Sequence, residues 1–370
     1  MASTTGSSAG RCSKQPRRRR RAAPALALAV AVAFTLAGCG HGKDNATAAP
    51  PSRQTRAAAP GTLTQAEAQA VLARYVAANN AANAVLDVQA IQRIEVAPAS
   101  VVSATGLKIL KSQQGTAPAV TYQAQRFVFP PATPGSPRWF VALVSVTSAG
   151  GTAHKPKYLL FRQQSTDPGA PWRVAYYPTI LADQQPPAMD GDSQGNALGV
   201  VPSALLLGPA GLARTIFDSY AKGSGSGSGS GSGDGGAAAP FAATLPLQIL
   251  DAGYTTGVQT LASQGVQLSR SLLPTAYPTY LVRTVDGGAL VFVADQVRDR
   301  YTPKAAGTPV KLDQGSREAA VAGRPQGLTA SQVTVTRTQV FLCYVPPRSN
   351  PGAGVQILSY DDVPTTVVTS

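Results

Sequence analysis

Three short patterns occur twice in this chain, in the same order, and any fold must accommodate that duplication. Val71-Leu72-Ala73-Arg74-Tyr75-Val76 has a counterpart in Gly211-Leu212-Ala213-Arg214-Thr215-Ile216-Phe217. Val128-Phe129-Pro130, followed by Pro137-Arg138-Trp139-Phe140-Val141, corresponds to Leu272-Leu273-Pro274, followed by Pro278-Thr279-Tyr280-Leu281-Val282. Tyr158-Leu159-Leu160-Phe161, then Pro168-Gly169-Ala170 and Trp172-Arg173-Val174, aligns without gaps on Phe341-Leu342-Cys343-Tyr344, Pro351-Gly352-Ala353 and Val355-Gln356-Ile357. The offset grows from 140 residues at the first pattern (71 to 211) to 183 at the last (158 to 341), so the second copy carries longer loops. The reading is two related domains, residues 62–182 and 201–370, joined by a linker at 183–200. A flexible Gly-Ser loop at 223–236 and a long polar loop at 302–327 interrupt the second domain. A single α+β domain of repetitive, alanine-rich composition is the alternative.

Within each copy, helical patterns come first and strand patterns follow. Thr64, with Glu67 three residues on, makes a capping box that opens a helix through Val71 to Val76. A second helix is predicted within 77–94. Alternating aromatic and aliphatic residues predict strands at 139–146, 157–161 and 173–177, and then at 280–283, 289–293, 333–344 and 355–359, with Pro-Gly turns closing the hairpins. Helices followed by an antiparallel sheet give an α+β class, each domain packing its N-terminal helix or helices on a curved sheet. That order resembles the layout of the NTF2-like or cystatin-like superfamily.

The first 38 residues read as a leader. Arg11, Lys14 and the arginines at 17–21 precede an apolar run at 22–35, too short to be a stable membrane span and suited to a signal sequence. Leu36-Ala37-Gly38-Cys39 closes it with the pattern of a bacterial lipobox. Cleavage between Gly38 and Cys39 would leave Cys39 as the lipidated first residue. Acyl chains contribute about 0.8 kcal/mol per buried methylene, so two or three of them hold a protein at a membrane. Residues 39–61, poor in large apolar groups, read as a disordered tether that spans roughly 25 Å on average.

The leader also explains much of the charge. Residues 1–38 hold seven Lys/Arg and no acid, so the formal +14 falls to +7 after cleavage, and the high isoelectric point is no sign of a nucleic-acid partner. Of three cysteines, Cys12 leaves with the leader and Cys39 carries lipid. Only Cys343 remains, within an apolar run that predicts a buried, inert thiol and no disulfide.

Candidate chemistry is sparse. His41 falls in the tether and His154 in a Gly/Lys/Pro segment expected to be a loop, so neither is assigned a catalytic or metal role. No nucleophile elbow, phosphate loop or clustered Cys/His site is present, and no catalytic residue, metal site or cofactor is assigned. Asp190-Gly191-Asp192-Ser193-Gln194-Gly195-Asn196 matches the first half of a calcium loop, but position 12 is Val201, so the closing carboxylate is missing and a linker is the better reading. Asp295, Arg298, Asp299 and Arg300 are expected on a solvated strand edge, or else on a surface for an anionic ligand. Residues 295 and 299 would share one face, and 298 and 300 the other. Trp139 and Trp172 are expected in the core of the first copy, with a ligand groove as the alternative.

The Arg-rich leader, the lipobox, Tyr75-Val76-Ala77-Ala78-Asn79-Asn80-Ala81, Pro137-Arg138-Trp139-Phe140 and Pro171-Trp172-Arg173-Val174 together resemble the alanine-rich lipoproteins of unknown function from high-GC Gram-positive actinobacteria. The resemblance implies an extracytoplasmic protein held by lipid on Cys39 at the outer face of the cytoplasmic membrane. Two functions follow as expectations. One is a non-enzymatic binding or interaction module of the cell envelope, with an unknown envelope ligand or protein as partner. The other is an envelope hydrolase or isomerase using carboxylates and tyrosines in an NTF2-like cavity, which would bring together two or more of Asp87, Glu95, Asp251 and Tyr122.

Overall fold

Helix α1, Gln65–Ala84, begins where the capping box places it. The Thr64 side chain accepts a hydrogen bond from the Glu67 amide (3.2 Å), and Glu67 Oε2 accepts one from the Thr64 amide (2.7 Å). Ala68, Val71, Leu72, Tyr75, Asn79 and Ala82 form its buried stripe, spaced by threes and fours as a one-sided helix requires. The structure is a computed structural model and describes residues 63–149, 151, 153–181, 184–221 and 241–370. The leader, Gly38, Cys39, the tether, His41, the Gly-Ser loop at 223–236 and the His154 side chain lie outside the described residues.

The segment expected to hold a second helix at 77–94 is divided differently. Residues 77–84 continue α1, Leu86 turns the chain with a φ of 51°, and only Val88–Ile94 forms α2, capped by Asp87 through the Ala90 amide (3.0 Å). Helix α3, Ala99–Ser112, was not foreseen. Its Ser, Thr, Val and Gly residues are weak helix formers, and burial of Ala99, Ala104, Leu107 and Ile109 sustains it.

Strands β1 (Val120–Val128), β2 (Trp139–Ser148), β3 (Ala153–Gln163) and β4 (Trp172–Tyr176) make an antiparallel meander in sequence order. His154 therefore has its backbone in β3, opposite Val146, and not in a loop. In the second half, α4 (Pro209–Ala221) and α5 (Leu245–Ser263) precede β5 (Val266–Leu273), β6 (Tyr280–Arg283) and β7 (Ala289–Pro303). The loop expected at 302–327 is partly regular structure. It contains β8 (Val310–Leu312) and α6 (Arg317–Val321), because Val310 is buried against Val266, Tyr301 and Val333, and Ser316 caps α6. Strand β9 (Leu328–Ala330) pairs with β8, and β10 (Val333–Val345) and β11 (Gln356–Thr369) complete the chain. The second sheet runs β11-β10-β7-β5, with β6 also paired to β7.

The middle pattern of the duplication falls on unlike strands. Trp139 opens β2, an interior strand, whereas Tyr280 opens β6, which is paired only to β7. A tight turn explains the difference. Asp286-Gly287-Gly288 folds β6 directly onto β7, and a Cβ on Gly288 would come within 2.7 Å of the Tyr344 ring. The closing pattern falls on β3 and β10, each the third strand of its meander, and then on β4 and the residues entering β11.

Strand alternation sorts the side chains into layers. On β2 and β3, Phe140, Ala142, Val144, Leu159 and Phe161 pack under α1, while Val141, Tyr158 and Leu160 face the second sheet. The second sheet answers with Val282, Leu290, Phe292, Leu342 and Leu358, and its opposite face carries Val291, Val293, Phe341 and Cys343 under Leu212, Ile216 and Tyr220 of α4. The result is a mixed α+β body in which two antiparallel sheets face each other and helices cover their outer sides. Burial of its apolar side chains is the main term holding it together, each large one contributing about 1.5–3 kcal/mol.

Residues 184–200, expected as a plain linker, are built into the body. Met189 and Ala197 are buried between the sheets, and the Phe129 amide donates to Gly195 O (2.8 Å). Among the described residues no helix is long and apolar enough to cross a membrane.

Candidate functional site

Three places in the fold concentrate chemistry. The first lies beneath the helices of the first sheet. Glu95 ends α2, and the neighbouring Val96 amide donates to Val174 O of β4 (2.9 Å), which fixes the glutamate against the sheet. Its side chain is 2 % exposed and its Oε1 accepts a hydrogen bond from the Tyr75 hydroxyl (2.9 Å). Burial pushes its carboxyl up to about 7, against the opposing pull of the Ser103 and Tyr75 hydroxyls and the Lys157 charge. Tyr122 is raised to about 12 by burial and by the Glu95 charge. Burial lowers Lys157, whose ammonium lies 5.3 Å from the centre of the Tyr177 ring. Tyr177 in turn accepts from the Ser103 hydroxyl (3.0 Å). Of the four residues expected to meet in a cavity, Glu95 and Tyr122 do interact. Asp87 is occupied as the α2 cap, and Asp251 belongs to α5 in the other half of the molecule.

The second is the charged group at 295–300, and here the expectation of a solvated edge is overturned. Strand β7 is interior, paired with β10 on one side and with β5 and β6 on the other. The parity holds, so Arg298 and Arg300 are exposed while Asp295 and Asp299 point into the helix-covered layer, 1 % and 0 % exposed. Asp299 accepts from Arg270 Nε (2.5 Å) and Nη2 (2.7 Å) and from Arg337 Nε (2.8 Å). Arg337 also pairs with Glu318, and its Nη1 approaches Asp362 Oδ1 at 3.6 Å. Asp295 has no hydrogen-bond partner for either oxygen, and burial reinforced by the Asp362 charge pushes its carboxyl up to about 8.

The third is open. A groove of about 460 Å³ is walled by Trp139, Arg162, Tyr280, Pro131, Pro278 and Val200, at the rim where the two sheets meet. The Trp139 and Tyr280 rings lie 5.0 Å apart, centre to centre. Trp139 on β2 is the cross-strand neighbour of Arg162 on β3, which is the cross-strand neighbour of Arg173 on β4. The three form one row on the face turned toward the second sheet. The two tryptophans thus part company. Trp172 packs against Phe140 (5.1 Å) under the helices, as expected of a core residue, whereas Trp139, equally half-buried, packs against the layer between the sheets and also lines the groove. Identical residue type hid that difference, and only the strand register exposes it.

The carboxylates of the Asp190–Asn196 loop are engaged by the loop itself and by Arg283, whose Nε lies 3.7 Å from Asp190 Oδ2. Asp192 Oδ1 accepts from the Gln194 and Asn196 amides (both 2.9 Å), and Asp190 Oδ1 accepts from the Gly191 amide (2.9 Å). Gly195, with a φ of +87°, lets the loop approach β1, where a Cβ would stand 2.6 Å from Phe127 O. Among the described residues no cluster of His, Cys, Asp and Glu could hold a metal ion. Cys343 is buried and free, with burial pushing its thiol far up.

A family profile described as Domain of unknown function (DUF8094) matches residues 59–367. The chain belongs to that family. The matched span takes in both sheets and all six helices among the described residues, so the family unit is the whole two-sheet body and not one half of it. No curated protein and no solved structure matches the chain.

Proposed function

We propose that this chain is a non-enzymatic binding module of the cell envelope, held by lipid on Cys39 at the outer face of the cytoplasmic membrane. The observation that carries the binding reading is the open groove in which Trp139 and Tyr280 stand beside Arg162. Aromatic walls with a few placed polar groups are what small-ligand sites commonly present. The lipobox at Leu36-Ala37-Gly38-Cys39 supports the location, as does the resemblance to alanine-rich actinobacterial lipoproteins.

The body is read as two related NTF2-like or cystatin-like halves packed sheet to sheet. An equivalence absent from the sequence patterns supports this. In each half the chain between two helices makes a parallel bridge to the last strand or to the residue entering it. Glu95 bridges Val174, with the Val96 amide donating to Val174 O (2.9 Å), and Phe241 bridges Val355, with the Ala242 amide donating to Val355 O (2.8 Å).

Two measurements test the proposal together. The full chain expressed with labelled palmitate should carry the label, and Cys39→Ser should abolish it. Crosslinking on intact cells should capture envelope material with the wild-type chain and much less with Trp139→Ala. An unlabelled wild type overturns the anchoring. Equal capture by Trp139→Ala overturns the groove as the binding site.

A second reading, an envelope hydrolase or isomerase, is favoured by Glu95, whose carboxyl near 7 beside Tyr75 and Tyr122 is in the range of a general acid or base. Its burial under the helices, away from the groove, counts against it. Ester or glycoside hydrolysis by the purified chain that Glu95→Gln abolishes would reverse the preference.

A further inference from the structure

We propose that the groove at Trp139 takes an acidic saccharide unit, the rings holding the sugar's apolar face and the Arg162–Arg173 pair its carboxylate or phosphate. The inference rests on the binding-module reading and adds the chemistry of the ligand.

Three observations carry it. Arg162 and Arg173 are direct cross-strand neighbours, an arrangement in which like charges repel and weaken the pair. Strands do not place two guanidiniums there for stability, and among the described residues neither forms an ion pair with a carboxylate. Contrast Arg270 and Arg337, both committed to Asp299. Moreover, Arg173 Nε is buried without a hydrogen-bond partner, in a half-buried side chain beside Arg162. The third observation is the ring pair at the end of the same row. Trp139 adjoins Arg162 across the strands, and Tyr280 stands against Trp139.

Each group suits one part of such a ligand. Guanidinium forks bind carboxylate and phosphate through paired N–H donors. The faces of aromatic rings are electron-rich, and the C–H bonds on one side of a sugar ring are weakly positive, so the two surfaces attract. A peptide fits less well. β2 and β3 are interior strands whose backbone groups are already paired, so no edge is offered at Trp139 or Arg162 for strand addition. The charge balance agrees, since residues 39–370 carry a formal +7.

The probe set is trigalacturonic acid, glucose 6-phosphate, neutral maltotriose and inorganic phosphate, each titrated into the full chain in detergent. Because the chain has two tryptophans, a Trp172→Phe variant makes intrinsic fluorescence a report on Trp139 alone. The expected result is a fluorescence change with trigalacturonic acid, glucose 6-phosphate or both, a response at least tenfold weaker with maltotriose, and weakening as salt rises. The choice between the first two distinguishes a uronic-acid ligand from a sugar phosphate. Arg162→Gln with Arg173→Gln should cut affinity at least tenfold while leaving the thermal midpoint at or above that of the wild type, since two repelling charges are gone. Unchanged affinity in that double variant overturns the inference, as does failure of both acidic probes to bind. Equal binding of maltotriose, dependent on Trp139, also overturns it but leaves the binding module standing. Response to inorganic phosphate alone means a bare anion site and overturns the saccharide.

Discussion

The two halves of the molecule bury carboxylates under their helices in opposite ways. In the first, Glu95 stands among hydroxyls and one lysine, and it is accommodated by keeping its proton, since burial raises its carboxyl to about 7. In the second, Asp299 is paired with Arg270 and Arg337, which close on it from two strands. Neutralisation by a proton depends on the solution, whereas neutralisation by fixed guanidiniums does not. Each half nevertheless holds a buried carboxyl pushed up toward neutrality, Glu95 in the first and Asp295 in the second. Asp295 lies four residues along β7 from Asp299, outside the arginine fork, with no hydrogen-bond partner for either oxygen.

The largest effect expected from breaking this contrast comes from Asp299→Ala. It leaves Arg270 and Arg337 buried without their shared partner, which costs about 3–5 kcal/mol. Chemical denaturation should show it as a large fall in midpoint, and a loss under 1 kcal/mol would mean that the network is dispensable.

Next comes the pH dependence. A carboxyl whose folded pKa is raised stabilises the fold below its unfolded value and loses that contribution as pH climbs through the folded value. For Glu95 the window runs from 4.5 to about 7, and the stability lost across it is roughly 3 kcal/mol. Glu95→Gln should flatten the decline in unfolding free energy between pH 4.5 and 7, and Asp295→Asn should do the same between 3.8 and about 8. Parallel wild-type and variant curves would refute the proton-holding account.

Gly195→Ala should act more locally, at about 1–3 kcal/mol, because the new Cβ meets Phe127 O and the left-handed backbone is strained. Hydrogen exchange should quicken at the amides of Phe129 and Ala197, which tie the 190–197 segment to β1. Protection that stays intact there would show that the segment tolerates the shift.

The smallest contrast is in the caps. Thr64→Ala removes a reciprocal capping box and should cost about 1 kcal/mol. Thr244→Ala at the head of α5 should change little, since the Thr244 hydroxyl makes no cap hydrogen bond. Equal losses from the two would contradict the geometry of the caps.

Local chemistry was legible wherever short-range rules decide structure. Thr64 and Glu67 mark the start of α1, alternating residues mark β2, β6 and β10, and the side-chain parity at 295–300 is that of a strand. Helix α3 was not legible, because its residues favour a helix only once one face is buried. The partition of charge was missed for a related reason. Nothing near Asp299 in sequence announces Arg270 or Arg337, which reach it from β5 and β10.

The Trp139–Arg162–Arg173 row shows the same division most plainly. Each residue is visible in its own strand pattern, but the row exists only through the registers of β2 with β3 and of β3 with β4. The sequence by itself determined the α+β class, the one-sided α1 and the faces of the strands, because helix capping and side-chain periodicity are properties of neighbouring residues. Tertiary structure alone decided which strands lie inside the sheets, which carboxylates burial pushes toward neutrality, and which tryptophan lines the groove. Those outcomes depend on groups dozens to hundreds of residues apart being brought within a few ångströms, where burial and Coulomb interactions are strong.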